Sequence, residues 1–155
     1  MAKFKNLSQL QAHLEKNVHK ILSKSASVER ILAEAMSQGV IDVVYEHYSP
    51  SVYERRGDEG GLSDVRNMEI SSVTVEDGKV KLIMENLTKG NDSMSGEYIS
   101  DMIIEGDESA WSNPVGAWSV KRDYITYTVD QLKNNPSELI EELKSLLKNK
   151  GYRVL

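Results

Sequence analysis

An Asp-Gly pair at positions 77–78 limits what this chain can fold into more than any other feature. It stands between two runs of strand-forming sequence. Residues 68 to 75 carry β-branched side chains, and from Lys79 to Glu85 the apolar Val80, Leu82 and Met84 alternate with polar neighbours. A two-residue turn between such runs predicts an antiparallel hairpin, because Asp and Gly tolerate the positive φ that the tight turn requires. This hairpin is the clearest local element in the sequence.

The first third reads as helix. Ser8-Gln9-Leu10-Gln11 has capping-box spacing. Apolar residues then recur at three- and four-residue spacing through Leu10, Leu14, Val18, Ile21 and Leu22, and again through Ile31, Leu32, Ala35 and Met36. Val40, Ile41, Val43 and Val44 widen the stripe, so its end is the part expected to be most buried. The serines of Ser23-Lys24-Ser25-Ala26-Ser27 compete with the helical backbone for hydrogen bonds. The helix either runs through them or divides there. Unbroken, residues 8–47 would span about 60 Å, far more than the radius of gyration of roughly 15 Å for a domain of this length. The apolar stripe would then need a neighbour.

Tyr48-Ser49-Pro50 ends the helical region, and a polar connection over 48–67 follows. Connections of that length are usually mobile or functional. Its Gly57, Gly60 and Gly61 supply turns, whereas Tyr53, Arg55, Arg56 and Leu62 are residue types that dominate protein interfaces. After the hairpin (68–86) comes a mixed region, 87–121. There Tyr98 to Glu105 is compatible with a short helix or a strand. Ala110-Trp111-Ser112 echoes Ala117-Trp118-Ser119, which predicts one tryptophan in the core and the other as a contact. Residues 122–150 are helical, with a restart in which Asn135 caps and Pro136 opens the first turn. Leu139, Leu143, Leu146 and Leu147 form the last stripe and Gly151 stops it. The expected fold is a single α+β domain over 1–155, with a long N-terminal helix and a C-terminal helical tail packed on a small antiparallel sheet.

Several chemistries are excluded or disfavoured. The chain has no cysteine, which removes disulfides, thiolate metal sites and cysteine nucleophiles. A net charge of −5 argues against the basic footprint of a specific nucleic-acid binder. The N-terminal residues lack the apolar run of a signal peptide, and no stretch is apolar enough for a membrane helix, so the expectation is a cytoplasmic protein without membrane contact. His13 and His19 are six residues apart, on different helix faces, and His47 is remote from both. No nucleophile elbow, phosphate loop or dinucleotide fingerprint is present. Asp58, Glu59 and Asp64, and separately Asp101, Glu105, Asp107 and Glu108, are loose acidic groups whose spacing does not force convergence on a metal. The reading is non-enzymatic, without catalytic, metal or cofactor residues.

Three landmarks carry a family resemblance. The N-terminal helix ends at Ser49-Pro50, and Gly61-Leu62-Ser63 leads into the first strand. Glu97-Tyr98-Ile99 runs into Ile104-Glu105-Gly106, and Lys121-Arg122-Asp123-Tyr124-Ile125 opens the last helices. In this order they resemble the head–tail joining or tail-completion proteins of tailed bacteriophages. The stretch from Ser51 to Gly60 is longer and more charged than in that family, and no proline stands beside Arg122. The resemblance implies a structural protein that assembles into a ring, binds the head connector on one side and the tail tube on the other, and passes from the host cytoplasm into the virion. Leu14, Val18, Tyr53, Arg55, Arg56, Leu62, Trp111 and Trp118 are the candidate interface residues. An adaptor of host proteins and a metal-dependent nuclease are the alternatives.

Overall fold

The computed structural model describes residues 5–47, 56–90, 96, 98–106 and 120–154. The N-terminal helical region divides. Helix α1 covers Leu7–Leu22 and α2 covers Ala26–Val40. Ser25 decides the matter, because its backbone is extended and its hydroxyl accepts from the Val28 N–H at 3.3 Å. That is N-cap geometry, which starts a new helix rather than continuing an old one. The 60 Å overhang therefore does not exist. The cap of α1 also differs from the Ser8 box: Asn6 Oδ1 accepts from the Gln9 N–H at 2.9 Å, while Gln9 Oε1 accepts from the Lys5 N–H at 3.0 Å. Asn caps about as well as Ser, and the one two residues earlier takes the position.

Beyond Val40 the helix widens into one π-helical stretch, Ile41–Tyr45, closed by the Glu46 N–H donating to the Ile41 carbonyl at 2.9 Å. Such single-turn widenings often mark functional positions. Strands β1 (Met68–Glu76) and β2 (Lys79–Asn86) form the expected hairpin. Asp77 and Gly78 both have positive φ, 50° and 71°, as a type I′ turn demands. The pairing of Val75 with Val80, Val73 with Leu82 and Ile70 with Met84 puts these apolar residues on one face. An irregularity between Ile70 and Ser72 takes up one extra residue.

The ambiguous segment at 98–105 resolves as a helix, α3 (Ser100–Glu105). Helices α4 (Tyr124–Asn134) and α5 (Ser137–Asn149) complete the chain, so the fold class is α+β. Asp123 caps α4 by accepting from the Thr126 N–H at 2.9 Å. Asn135 does not cap α5 with its side chain; its backbone N–H instead closes α4 onto the Gln131 carbonyl. Gly151 ends α5 as expected. At φ 84° it lets the Tyr152 N–H reach the Leu147 carbonyl at 3.1 Å, a Schellman closure.

The core is assembled mainly around α2. Ala33, Met36, Val40 and Val44 meet Leu62, Met68, Ile103 and Tyr124, all of them buried. Val40 and Tyr124 are fully enclosed, and such burial contributes about 1.5–3 kcal/mol per large apolar side chain. Helices α2 and α4 approach closely at Gly39, where any Cβ would collide with the Thr128 side chain.

Candidate functional site

Three features stand out from this core: an outer layer of half-covered helices, a loop folded onto the hairpin base, and a cleft between α2 and α4. The outer layer holds two of the contact residues expected from the sequence, Leu14 and Val18. Helix α1 rests on β1 and α5 but buries only Leu22 among its 16 residues. Leu14 is 38% exposed and Val18 is half-buried, so both expected contact residues do lie on a partly open surface. Helix α5 has no buried residue: Leu139, Leu143, Leu146 and Leu147 are half-covered, and Ile140 is 42% exposed. Val80, at the hairpin tip, is 45% exposed on the apolar face of the sheet.

The connection before β1 was expected to be a loop throughout 48–67. From residue 56 onward it is folded. Gly57 and Gly60 adopt positive φ, Val65–Asn67 forms a 3-10 turn, and Gly61, Leu62, Ser63 and Asp64 are buried. Leu62, proposed from sequence as a contact, is 3% exposed and belongs to the chain's own core. The physical reason is a set of polar anchors that the sequence alone does not bring together. Asn86 donates its amide to the Leu62 carbonyl at 2.8 Å, Asn67 donates to the Gly61 carbonyl at 3.1 Å, and Ser37 donates to the Ser63 carbonyl at 2.6 Å. These bonds satisfy backbone groups that burial would otherwise leave unpaired.

Asp64 organises the same turn and is buried, not solvated as its place in an acidic loop implied. Arg66 Nη2 lies 2.6 Å from Asp64 Oδ2, and the Arg66 and Gly60 N–H groups donate to the same carboxylate. The Arg66 side chain, then these backbone donors, hold its pKa well below the usual carboxylate range against the opposing effect of burial. Arg56 is half-buried and donates to the Lys89 carbonyl at 2.6 Å, an internal contact. Tyr53, Arg55, Trp111 and Trp118 lie outside the described residues.

The cleft was not foreseen. It encloses about 210 Å³ between α2, the π-helical turn and α4. Ala35, Gly39 and Leu132 line its apolar part; Asp42, Tyr127, Gln131 and Asn135 supply polar groups. Asp42 is fixed from two sides, because Gln38 Nε2 donates to Oδ1 at 2.7 Å and the Tyr127 hydroxyl donates to Oδ2 at 2.9 Å. That bond to Asp42, then burial, raises the Tyr127 pKa. Asp42 and Tyr127 are 85 residues apart, so no local pattern announces the pair. The nearest available signal was the glycine at 39 in an otherwise helix-forming stretch.

The histidines stay apart: His13 contacts Asn17, His19 contacts Ser23, and His47 Nδ1 lies 2.9 Å from the Asp42 carbonyl. Among the described residues no three His, Asp or Glu side chains converge where a metal ion could be held. Asp107 and Glu108 lie outside them. No helix among the described residues is long and apolar enough to cross a membrane.

The described residues form a small α+β domain with polar anchors turned inward and apolar outer helices left half-covered. More particularly, the chain belongs to the YomN family, a phage-derived family whose model matches residues 6–149. It is thus a phage-related protein. No curated protein and no solved structure matches it significantly.

Proposed function

We propose that this protein is a non-catalytic assembly component of a tailed phage, joining head connector to tail or completing the tail as a ring of identical subunits. One observation carries the reading beyond its phage family: α1 and α5 each present an apolar stripe to the surface with at most one residue fully buried. Apolar area of that kind normally marks an association site. Burial by a neighbouring subunit at about 25 cal/mol per Å² would favour assembly once copies are gathered on a particle. The head–tail joining role itself is supported by the order of the Gly61-Leu62-Ser63, Tyr98-Ile99 and Arg122-Asp123-Tyr124 landmarks.

The test is genetic. Deleting the gene from an inducible phage and viewing the lysate by electron microscopy should show DNA-filled heads and separate tails, with infectivity restored by the gene in trans. Intact, infectious particles would overturn the joining role and leave the host-adaptor reading in its place. Metal-dependent cleavage of plasmid DNA by the purified protein, lost in Asp58→Ala or Asp101→Ala, would overturn the non-catalytic reading.

A further inference from the structure

We infer that the cleft between α2 and α4 receives the Arg153 guanidinium of a second copy of this chain, joining subunits head to tail. This contact rests on the ring reading for the presence of a neighbour, but the cleft's own chemistry selects the ligand. Its volume of about 210 Å³ falls below the ~300–1,000 Å³ of small-molecule pockets, which suits one side chain rather than a metabolite. The Asp42 carboxylate has no cationic partner among the described residues, although two donors hold it in place. Glu46, one turn further on, likewise has no ion pair among them. The exposed amides of Gln131 and Asn135 make no side-chain hydrogen bond among the described residues and offer two more carbonyl acceptors at the mouth. Acceptors spread around a carboxylate, above an apolar wall of Leu132 and Ala35, match a planar fork of donors on an aliphatic stem. A lysine ammonium, compact and strongly hydrated, would use fewer of them.

The occupant is sought among the arginines of the described residues. Arg30 pairs with Glu34, Arg66 with Asp64, Arg56 with the Lys89 carbonyl, and Arg122 is buried and engaged. Among the described residues, Arg153 is the one arginine whose guanidinium has no partner. It is exposed in a basic terminal stretch with Lys148 and Lys150, on a chain of net charge −5. It cannot serve its own cleft. Asn135, at the cleft, stands two residues before α5, whose 13 residues carry the chain about 20 Å away before Arg153 is reached. Donor and acceptor therefore lie on different surfaces. The inferred contact is of the heterologous type, which gives a ring where the rotation between subunits closes.

The test is fluorescence anisotropy with a labelled peptide of residues 148–155, titrated onto the full-length Arg153→Ala variant, whose own tail lacks the anchor. Saturable, salt-sensitive binding is expected. It should weaken about tenfold or more when the receptor also carries Asp42→Asn, or when the peptide carries Arg153→Ala. Substituting lysine in the peptide should weaken it less. A receptor with Gln131→Ala and Asn135→Ala, both at exposed positions, gives a second reading should Asp42→Asn disturb folding. Absence of saturable binding, or binding indifferent to these receptor changes, would overturn the contact. The ring is judged separately, by light scattering of the unaltered chain. A ring that forms while the peptide stays silent removes this contact and leaves the ring.

Discussion

Helices α1 and α2 are nearly the same length, 16 and 15 residues, and both carry an apolar stripe, yet their fates differ. Helix α2 buries Val28, Ile31, Ala33, Met36, Gly39 and Val40; α1 buries Leu22 alone. The difference lies in what stands opposite. Helix α2 meets α4, the turn at 61–64 and the base of β1, three elements converging from distant parts of the sequence. Helix α1 meets β1 of a two-stranded sheet and α5, neither of which is itself well covered. An apolar stripe records that a face seeks cover. It does not record whether the cover belongs to the same chain. The inner region is a folding core, whereas the outer layer keeps much of its apolar surface open.

Truncation provides the strongest way to break that comparison. Tyr124 is fully enclosed, its hydroxyl is 2.6 Å from Ser100 Oγ, and burial pushes its pKa up to about 12. Tyr124→Ala should cost about 3–5 kcal/mol in denaturant unfolding. Leu14→Ala should change stability by about 0.5 kcal/mol or less. Equal losses at the two positions would mean that α1 is as integral to the monomer as α4, and the outer layer would lose its special standing.

The next effect concerns the buried turn. Asp64→Asn should destabilise the chain by about 1–3 kcal/mol at neutral pH, since a charge-assisted set of hydrogen bonds is weakened in a buried place. The pH dependence sharpens the point. The Asp64 pKa is lower in the folded chain than in the unfolded one, so its contribution is complete above about pH 4 and is lost as pH falls below that value. Asp123, lowered chiefly by the Thr126 N–H at the start of α4, adds to the same window. Unfolding curves between pH 5 and about pH 2 should therefore fall less steeply for Asp64→Asn than for the unaltered protein. Curves with equal slopes would show that Asp64 is not the group linking acid to this turn.

These two regions also explain what was legible in the sequence. The hairpin was readable to the residue because its determinants are local: Asp77 and Gly78 accept positive φ, and the flanking alternation fixes the face. The stop at Gly151 was readable for the same reason. Ser25 was ambiguous because a serine in that place either weakens a helix or starts one. The choice lies with tertiary packing: Val28 reaches full burial, and the Ser27 hydroxyl donates to Glu142 on α5. The folded turn at 61–64 reads in the sequence only as part of a polar connection, because its anchors, Ser37 and Asn86, are supplied from 24 or more residues away. The cleft was invisible because Asp42 and Tyr127 meet only after α2 and α4 have packed. The hairpin turn and the Gly151 stop depend on neighbours along the chain, whereas the anchors of the 61–64 turn and the walls of the cleft are neighbours only in space.

A smaller effect addresses the joint between the regions. Ser25→Ala removes the cap of α2 and should cost about 1 kcal/mol. Ser25→Gly, which retains the extended backbone at little cost, should give back most of that. If Ser25→Ala were neutral, the division between α1 and α2 would be maintained by packing alone.

The smallest effect on folding should accompany the largest effect on assembly. Leu14 and Val18 lie one turn apart on α1, the first exposed and the second half-buried. Changing both to glutamate places two like charges on the stripe, which a neighbour could bury only at a heavy desolvation penalty. In an isolated subunit both carboxylates can reach water, with Val18→Glu costing more than Leu14→Glu because its side chain is partly covered. The expected outcome is a double variant whose sheet and C-terminal helices melt within a few degrees of the unaltered protein. Its sedimentation should stay monomeric at concentrations where the unaltered chain associates, and it should fail to complement a deletion phage. The near-ultraviolet circular dichroism of Tyr124 and the other aromatics reports on the inner core independently of helix content. Loss of that signal together with assembly would place Leu14 and Val18 in the monomer's own fold, and the two regions would then be one. Retained signal with retained association would move the subunit contact off α1, leaving α5 and the cleft between α2 and α4 as the surfaces that carry it.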